Sequence, residues 1–130
     1  MRCYLLILLA TLTACAGQPQ YVALRQTVDG LTVTLERPRE VVALQDHEVF
    51  VTLADAQGRP VDDATVYLDQ SMPGMVMGVN QPIAEGLGGG RYRVSTVYAM
   101  EGNWRVVVHA RVGGKEYVAG FDYPVALPKT

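Results

Sequence analysis

The chain has 130 residues, of which 49% are hydrophobic, and its 13 acidic and 11 basic side chains leave a formal charge of −2. That length allows one domain with its own hydrophobic core. Neither the charge nor any basic cluster fits a nucleic-acid partner, and a weak acidic excess speaks for solubility more than for any named ligand.

The chain begins with a positive pair, Met1-Arg2, and an uncharged apolar run over residues 4–14. The run is too short to span a bilayer as a helix and reads as the apolar part of a signal peptide. It ends in Leu12-Thr13-Ala14-Cys15, which resembles the bacterial lipobox, whose cysteine is lipidated and becomes the first residue. The expectation is a signal peptide over residues 1–14, a lipidated Cys15 with a short polar tether over 15–20, and a domain over 21–130. An ordinary secretory signal is the alternative. Lipid anchoring places the protein in the bacterial cell envelope, facing the periplasm, with the membrane as its first partner. Ala16 after the cysteine resembles the outer-membrane sorting pattern of Gram-negative lipoproteins. Cleavage removes Arg2 and Cys3, leaving ten basic against 13 acidic side chains, a charge of −3. Lipidation blocks the remaining thiol, so the domain folds without a disulfide although its compartment favours them.

From Tyr21 onward, short alternating runs are separated by glycine turns, and helical periodicity is absent. Residues 21–28 and 31–36 flank Asp29-Gly30, a hairpin signal because glycine accepts the positive φ of a two-residue turn. Residues 47–54 put Val49, Val51 and Leu53 on one face; residues 64–69 do the same with Ala64, Val66 and Leu68 after the Gln57-Gly58-Arg59-Pro60 connection. Residues 91–98 align Tyr92, Val94, Thr96 and Tyr98. Residues 103–112 align Trp104, Val106, Val108, Ala110 and Val112 after a turn at Glu101-Gly102. Gly113-Gly114 closes a last hairpin into residues 116–125, with Tyr117, Ala119, Phe121, Tyr123 and Val125 on one side. About seven strands at this spacing predict an all-β, immunoglobulin-like antiparallel sandwich without the paired cysteines of antibody domains.

Residues 70–90 break the pattern and read as a loop with one irregular strand. Ser71-Met72-Pro73-Gly74-Met75-Val76-Met77-Gly78 carries three of the five methionines. The run from Asp55 through Gly58-Arg59-Pro60-Val61 to Ala64-Thr65-Val66, then Met72-Pro73-Gly74-Met75, Gly90-Arg91-Tyr92 and Met100-Glu101-Gly102-Asn103-Trp104 occur in the order found in the YtkA-like domains of bacterial envelope proteins, related in plan to FixH-type oxidase-assembly proteins. The chain resembles that family over most of its mature length. The resemblance implies an immunoglobulin-like sandwich, no catalysis, and a link to copper handling or respiratory-oxidase assembly. Many relatives place a histidine soon after the Met-Pro-x-Met element, where this chain has Met77.

Thioether sulfur is soft, uncharged and indifferent to low pH, so Met72, Met75 and Met77, with Met100 from the next turn, are candidate Cu(I) ligands. The Pro73-Gly74 turn is expected to fold Met72 and Met75 together, and Met77 to share a side with Met75. Gap-filling is the other use of methionine in such a loop. His47 is either a nitrogen ligand or a strand-end histidine bonded to backbone. His109, between Arg105 and Arg111 on the outward parity, is expected to be solvated. Trp104 is either the core anchor or a ring lying over a bound cation. No nucleophile turn, buried acid pair or phosphate loop points to an enzyme; Gly86 to Gly90 reads as a turn and Asp62-Asp63 as a turn cap. The candidates are thus an envelope protein binding or delivering Cu(I), with a membrane-protein or metalloprotein partner, and a non-metal interaction or assembly module for a membrane complex such as an oxidase or efflux system.

Overall fold

The computed structural model describes residues 20–129; the expected signal peptide, Cys3, Cys15 and most of the tether lie outside them. Eight strands run in order: β1 (Tyr21–Val28), β2 (Leu31–Pro38), β3 (His47–Ala54), β4 (Thr65–Ser71), β5 (Glu85–Gly88), β6 (Arg91–Thr96), β7 (Gly102–Val112) and β8 (Lys115–Val125). No helix occurs among the described residues.

The strands form two antiparallel sheets, β1-β2-β3-β6-β5 and β4-β7-β8. Without β1, the order is the four-over-three arrangement of immunoglobulin-type sandwiches, with β1 added at an edge. The expected hairpins are present: Asp29 and Gly30 take φ of 48° and 82°, Gly113 and Gly114 take 56° and 82°, and β7 pairs β8 from Gly102↔Val125 to Val112↔Lys115. Two positive φ values in sequence give the turn a twist that matches right-twisted strands.

Alternation dictates the core. Leu31, Val33 and Leu35 from β2, Val49, Val51 and Leu53 from β3, and Tyr92 and Val94 from β6 face Val66 and Leu68 from β4, Trp104 to Ala110 from β7 and Ala119 to Val125 from β8 at the inward positions. All are at most 5% exposed. Gln70 and Thr96 continue the same parity and are buried polar groups in that core.

The strand count is eight because the irregular strand within 70–90 is β5, which carries a bulge between Gly86 and Gly88. The glycine run is therefore part strand, and only its end is a turn. Asp62 caps that turn, its carboxylate accepting the Gly90 N–H. Before β5, residues 80–84 run beside β4: Gln70 N–H donates to Asn80 O at 3.1 Å, Leu68 N–H to Pro82 O at 3.0 Å, and Ala84 N–H to Val66 O at 2.8 Å. The chain then crosses to the other sheet. This strand switch covers the free edge of β4 and fixes both ends of the methionine loop.

Candidate functional site

β4 ends at Ser71 and the chain reverses at once. Met75 N–H donates to Met72 O at 3.2 Å and Gly74 has φ of 82°, so Met72-Pro73-Gly74-Met75 is a type II turn with proline and glycine at the positions that demand them. The reversal carries Met77 back over β4, where its Sδ accepts the Met72 N–H at 3.3 Å. Met72 continues the inward parity of Val66, Leu68 and Gln70. Met72 and Met77 both pack against the core, whereas Met75 is 49% and Met100 40% exposed.

The pairing differs from the expected one. Met77 joins Met72, and Met75 points away, because residues 75–79 make no strand ladder that would hold Met75 and Met77 on one side. Met72 also reaches the next turn, as Met100 was expected to do in the other direction. Its Cε occupies the place a Cβ would take on Gly102, a residue with φ of 131°. Only glycine combines that backbone with that close approach. Trp104 fixes the same turn, its indole N–H donating to Met100 O at 3.0 Å.

Trp104 is core: it is 1% exposed and meets Tyr98 edge-on at 5.0 Å, with no cation over its ring among the described residues. His47 has its Nε2 at 3.0 Å from Val42 N and 2.9 Å from Val42 O, so either tautomer is satisfied by backbone. Nδ1 is then its only nitrogen open to a ligand. His109 faces outward as expected, yet it is not simply solvated: the ring stacks on Tyr67 at 4.5 Å and 3°, and Nδ1 lies 2.8 Å from Glu116 Oε1. Hydrogen bonding to His109 holds the Glu116 carboxyl below the usual carboxylate range.

Beneath the methionine loop is a polar cluster that alternation alone did not reveal. Gln70 Nε2 donates to Tyr98 Oη at 2.9 Å, and Tyr98 Oη is also bonded to Tyr123 Oη. Tyr98 follows β6 of one sheet, while Gln70 and Tyr123 belong to the other, so the cluster ties the sheets together. Gln70 Oε1 has no partner. Burial raises both tyrosine hydroxyls above their ordinary pKa, Tyr123 further because of Tyr98 beside it. The available signal was the parity Val66, Leu68, Gln70, which placed a polar side chain inside.

Shallow clefts open elsewhere on the surface of the described residues. One of 240 Å³ lies between Asp29, Asp55, Gln57, Val112 and Tyr117 at the pole opposite the methionines, and one of 170 Å³ beside Arg37 and Pro124. Neither holds a convergent donor set. Among the described residues no three His, Cys, Asp or Glu side chains come together in a metal-binding group.

The family model described as YtkA-like matches residues 25–109, and the chain belongs to that family. Among solved structures, the soluble domain of PmoD from a Methylocystis species is similar in fold, with a TM-score of 0.51 at 15% identity, covering 78% of this chain and 96% of that one. No curated protein matches the chain.

Proposed function

We propose that this member of the YtkA-like family is a lipid-anchored cell-envelope protein that binds Cu(I) at the methionine rim, through Met72 and Met77 with Met75 and Met100 completing the set. The carrying observation is the Met72–Met77 pair, held by the type II turn and the Met72 N–H···Sδ bond beside two exposed methionines. The donor set fits the metal. Thioethers prefer a soft monovalent ion, and no carboxylate or thiolate group competes for a harder one among the described residues. Met77 Sδ has a second lone pair beyond the one that accepts the Met72 N–H. Met75 and Met100 are the donors able to swing inward at little cost, being flexible and open to solvent. His47 is a reserve ligand through Nδ1 alone.

Native mass spectrometry of the protein with Cu(I) under reducing conditions tests this reading. One stoichiometric adduct is expected, and a Met72→Leu, Met77→Leu double variant should lose at least tenfold in affinity while keeping its fold. Absence of the adduct, or unchanged affinity after all four methionines become leucine, overturns it. The exposed Val76 and Val79 within the same loop favour a second reading, a non-metal assembly module docking a membrane complex. Recovery of one defined partner from detergent extracts, lost in a Val76→Asp variant, would support that reading instead.

A further inference from the structure

The exposed large hydrophobic side chains are concentrated at one pole. Val76 is fully open, Val79 is 88%, Leu44 70% and Leu127 59% exposed, and Val97 and Met100 lie beside them. All belong to the rim where β2, β4, β6 and β8 end and β7 begins, which the Val42↔Ala126 bridge and the Leu44 N–H to Tyr98 O bond draw together. At the other pole are Asp29, Asp55, Arg59, Asp62 and Lys115 with the exposed Leu87, while Ile83 (77%) and Val118 (46%) are exposed on the flanks, opposite Tyr67 and His109.

The described chain starts at the apolar rim. Tyr21 pairs with Pro38, and Arg39 N–H donates to Gln20 O at 2.8 Å, which pins Gln20 there. From Cys15 to Gln20 are five residue steps, about 18 Å at full extension. The eight residues of β1 alone are about 27 Å long at strand rise. A tether of that length cannot pass along the sandwich and let the charged pole meet the surface in which Cys15 is anchored.

We infer that the methionine rim rests end-on against the bilayer, with Leu44, Val76, Val79 and Leu127 in the headgroup layer. The inference depends on the anchor at Cys15 stated above, and not on copper. The rim carries Arg39 and Lys129 against Glu40, Asp46 and Glu101, so apolar contact rather than attraction to anionic lipid holds it. An exposed apolar patch rimmed by mixed charge is the surface expected of such contact. The metal-binding face would then look into the membrane surface rather than the open periplasm.

The test uses the full chain, lipidated through its own signal and reconstituted into vesicles of zwitterionic phospholipid containing doxyl-labelled lipid. Because lipidation blocks Cys15, a single environment-sensitive fluorophore can be attached at Val76→Cys or, at the far pole, at Gln57→Cys; both positions are exposed. The Val76→Cys probe should be blue-shifted and quenched several-fold more than the Gln57→Cys probe, in high salt as in low. Equal quenching at the two positions, or none at Val76→Cys in protein that floats with the vesicles, overturns the orientation. Failure to float overturns the anchor and the orientation with it. Shielding of Val76→Cys in native membranes but not in protein-free vesicles assigns the rim to a membrane protein and overturns the bilayer contact.

Discussion

Replacing Tyr98 by phenylalanine isolates the tie between the sheets. The ring is fully buried and the substitution keeps its volume, so packing changes little, but two partners of the hydroxyl remain inside the protein. Gln70, 2% exposed and already without a partner on Oε1, loses the acceptor of its N–H; Tyr123 loses its hydroxyl partner. Each buried group left unpaired costs about 1–3 kcal/mol, and a total near 3 kcal/mol follows. For a domain of this size that lowers Tm by about 12 °C. Removing all three polar groups, as Gln70→Leu, Tyr98→Phe and Tyr123→Phe together, leaves no member of the trio unsatisfied and should cost less than Tyr98→Phe alone. Urea unfolding of the soluble domain followed by Trp104 fluorescence measures each variant, and the sign of the non-additivity decides. A Tyr98→Phe cost below about 1 kcal/mol, or a triple variant whose loss equals the sum of the single losses, would refute the account of the cluster.

The same cluster sets an alkaline limit. Burial raises the pKa of both hydroxyls in the folded state, so their contribution is fully present below the unfolded value of about 10 and declines as pH rises beyond it. Stability measured by urea from pH 9 to 11 should hold to about pH 10 and then fall, less steeply in Tyr98→Phe. On the outer face the sign is opposite. Glu116 is depressed chiefly by its hydrogen bond to His109, so its small contribution is present above the ordinary carboxylate range and lost as pH falls through the folded value; NMR titration should find the Glu116 midpoint moving back up in His109→Phe. Gly102→Ala forces a β-carbon into the space of the Met72 methyl at a φ of 131°, and should destabilise by about 1–3 kcal/mol while shifting the methyl resonances of Met72 and Met77.

The sandwich was legible because its information is local. Alternation named the inward residues of β3, β4, β6, β7 and β8, and Asp29-Gly30 and Gly113-Gly114 announced hairpins through the positive φ they require. Which strands pair was not legible, since β3 to β4 and β6 to β7 are crossings between sheets, and their turn residues, Gln57 to Pro60 and Glu101-Gly102, do not distinguish a crossing from a hairpin. The edge pairing of residues 80–84 with β4 was hidden for another reason: Asn80 and Pro82 contribute backbone carbonyls, which leave no trace in side-chain pattern. At the site, proline and glycine predicted the turn, but the partner of Met77 depended on a thioether accepting an amide N–H after the chain had reversed. The burial of Gln70 followed from parity, whereas its contact with Tyr98 required the two sheets to be placed face to face.

Immunoglobulin-type sandwiches commonly join their sheets with a disulfide packed on tryptophan, a device unavailable here because both cysteines precede residue 16. In this chain a buried cross-sheet connection is polar and lies at the rim: Tyr98 bonded to Gln70 and Tyr123, with Trp104 edge-on against it and holding the Met100 carbonyl. That location links stability to the methionines. Gln70 is two residues before Met72 on the same inward row, and the Trp104 bond fixes the turn whose Gly102 accepts the Met72 methyl. A group inserted between Met72 and Met77 therefore acts on the tie through packed neighbours rather than through a mobile loop. Hydrogen exchange at the Gln70 amide, bonded to Asn80, is the local reporter of that coupling. Cu(I) bound at the rim should slow it, and exchange at Val33 in the distant β2 should stay unchanged.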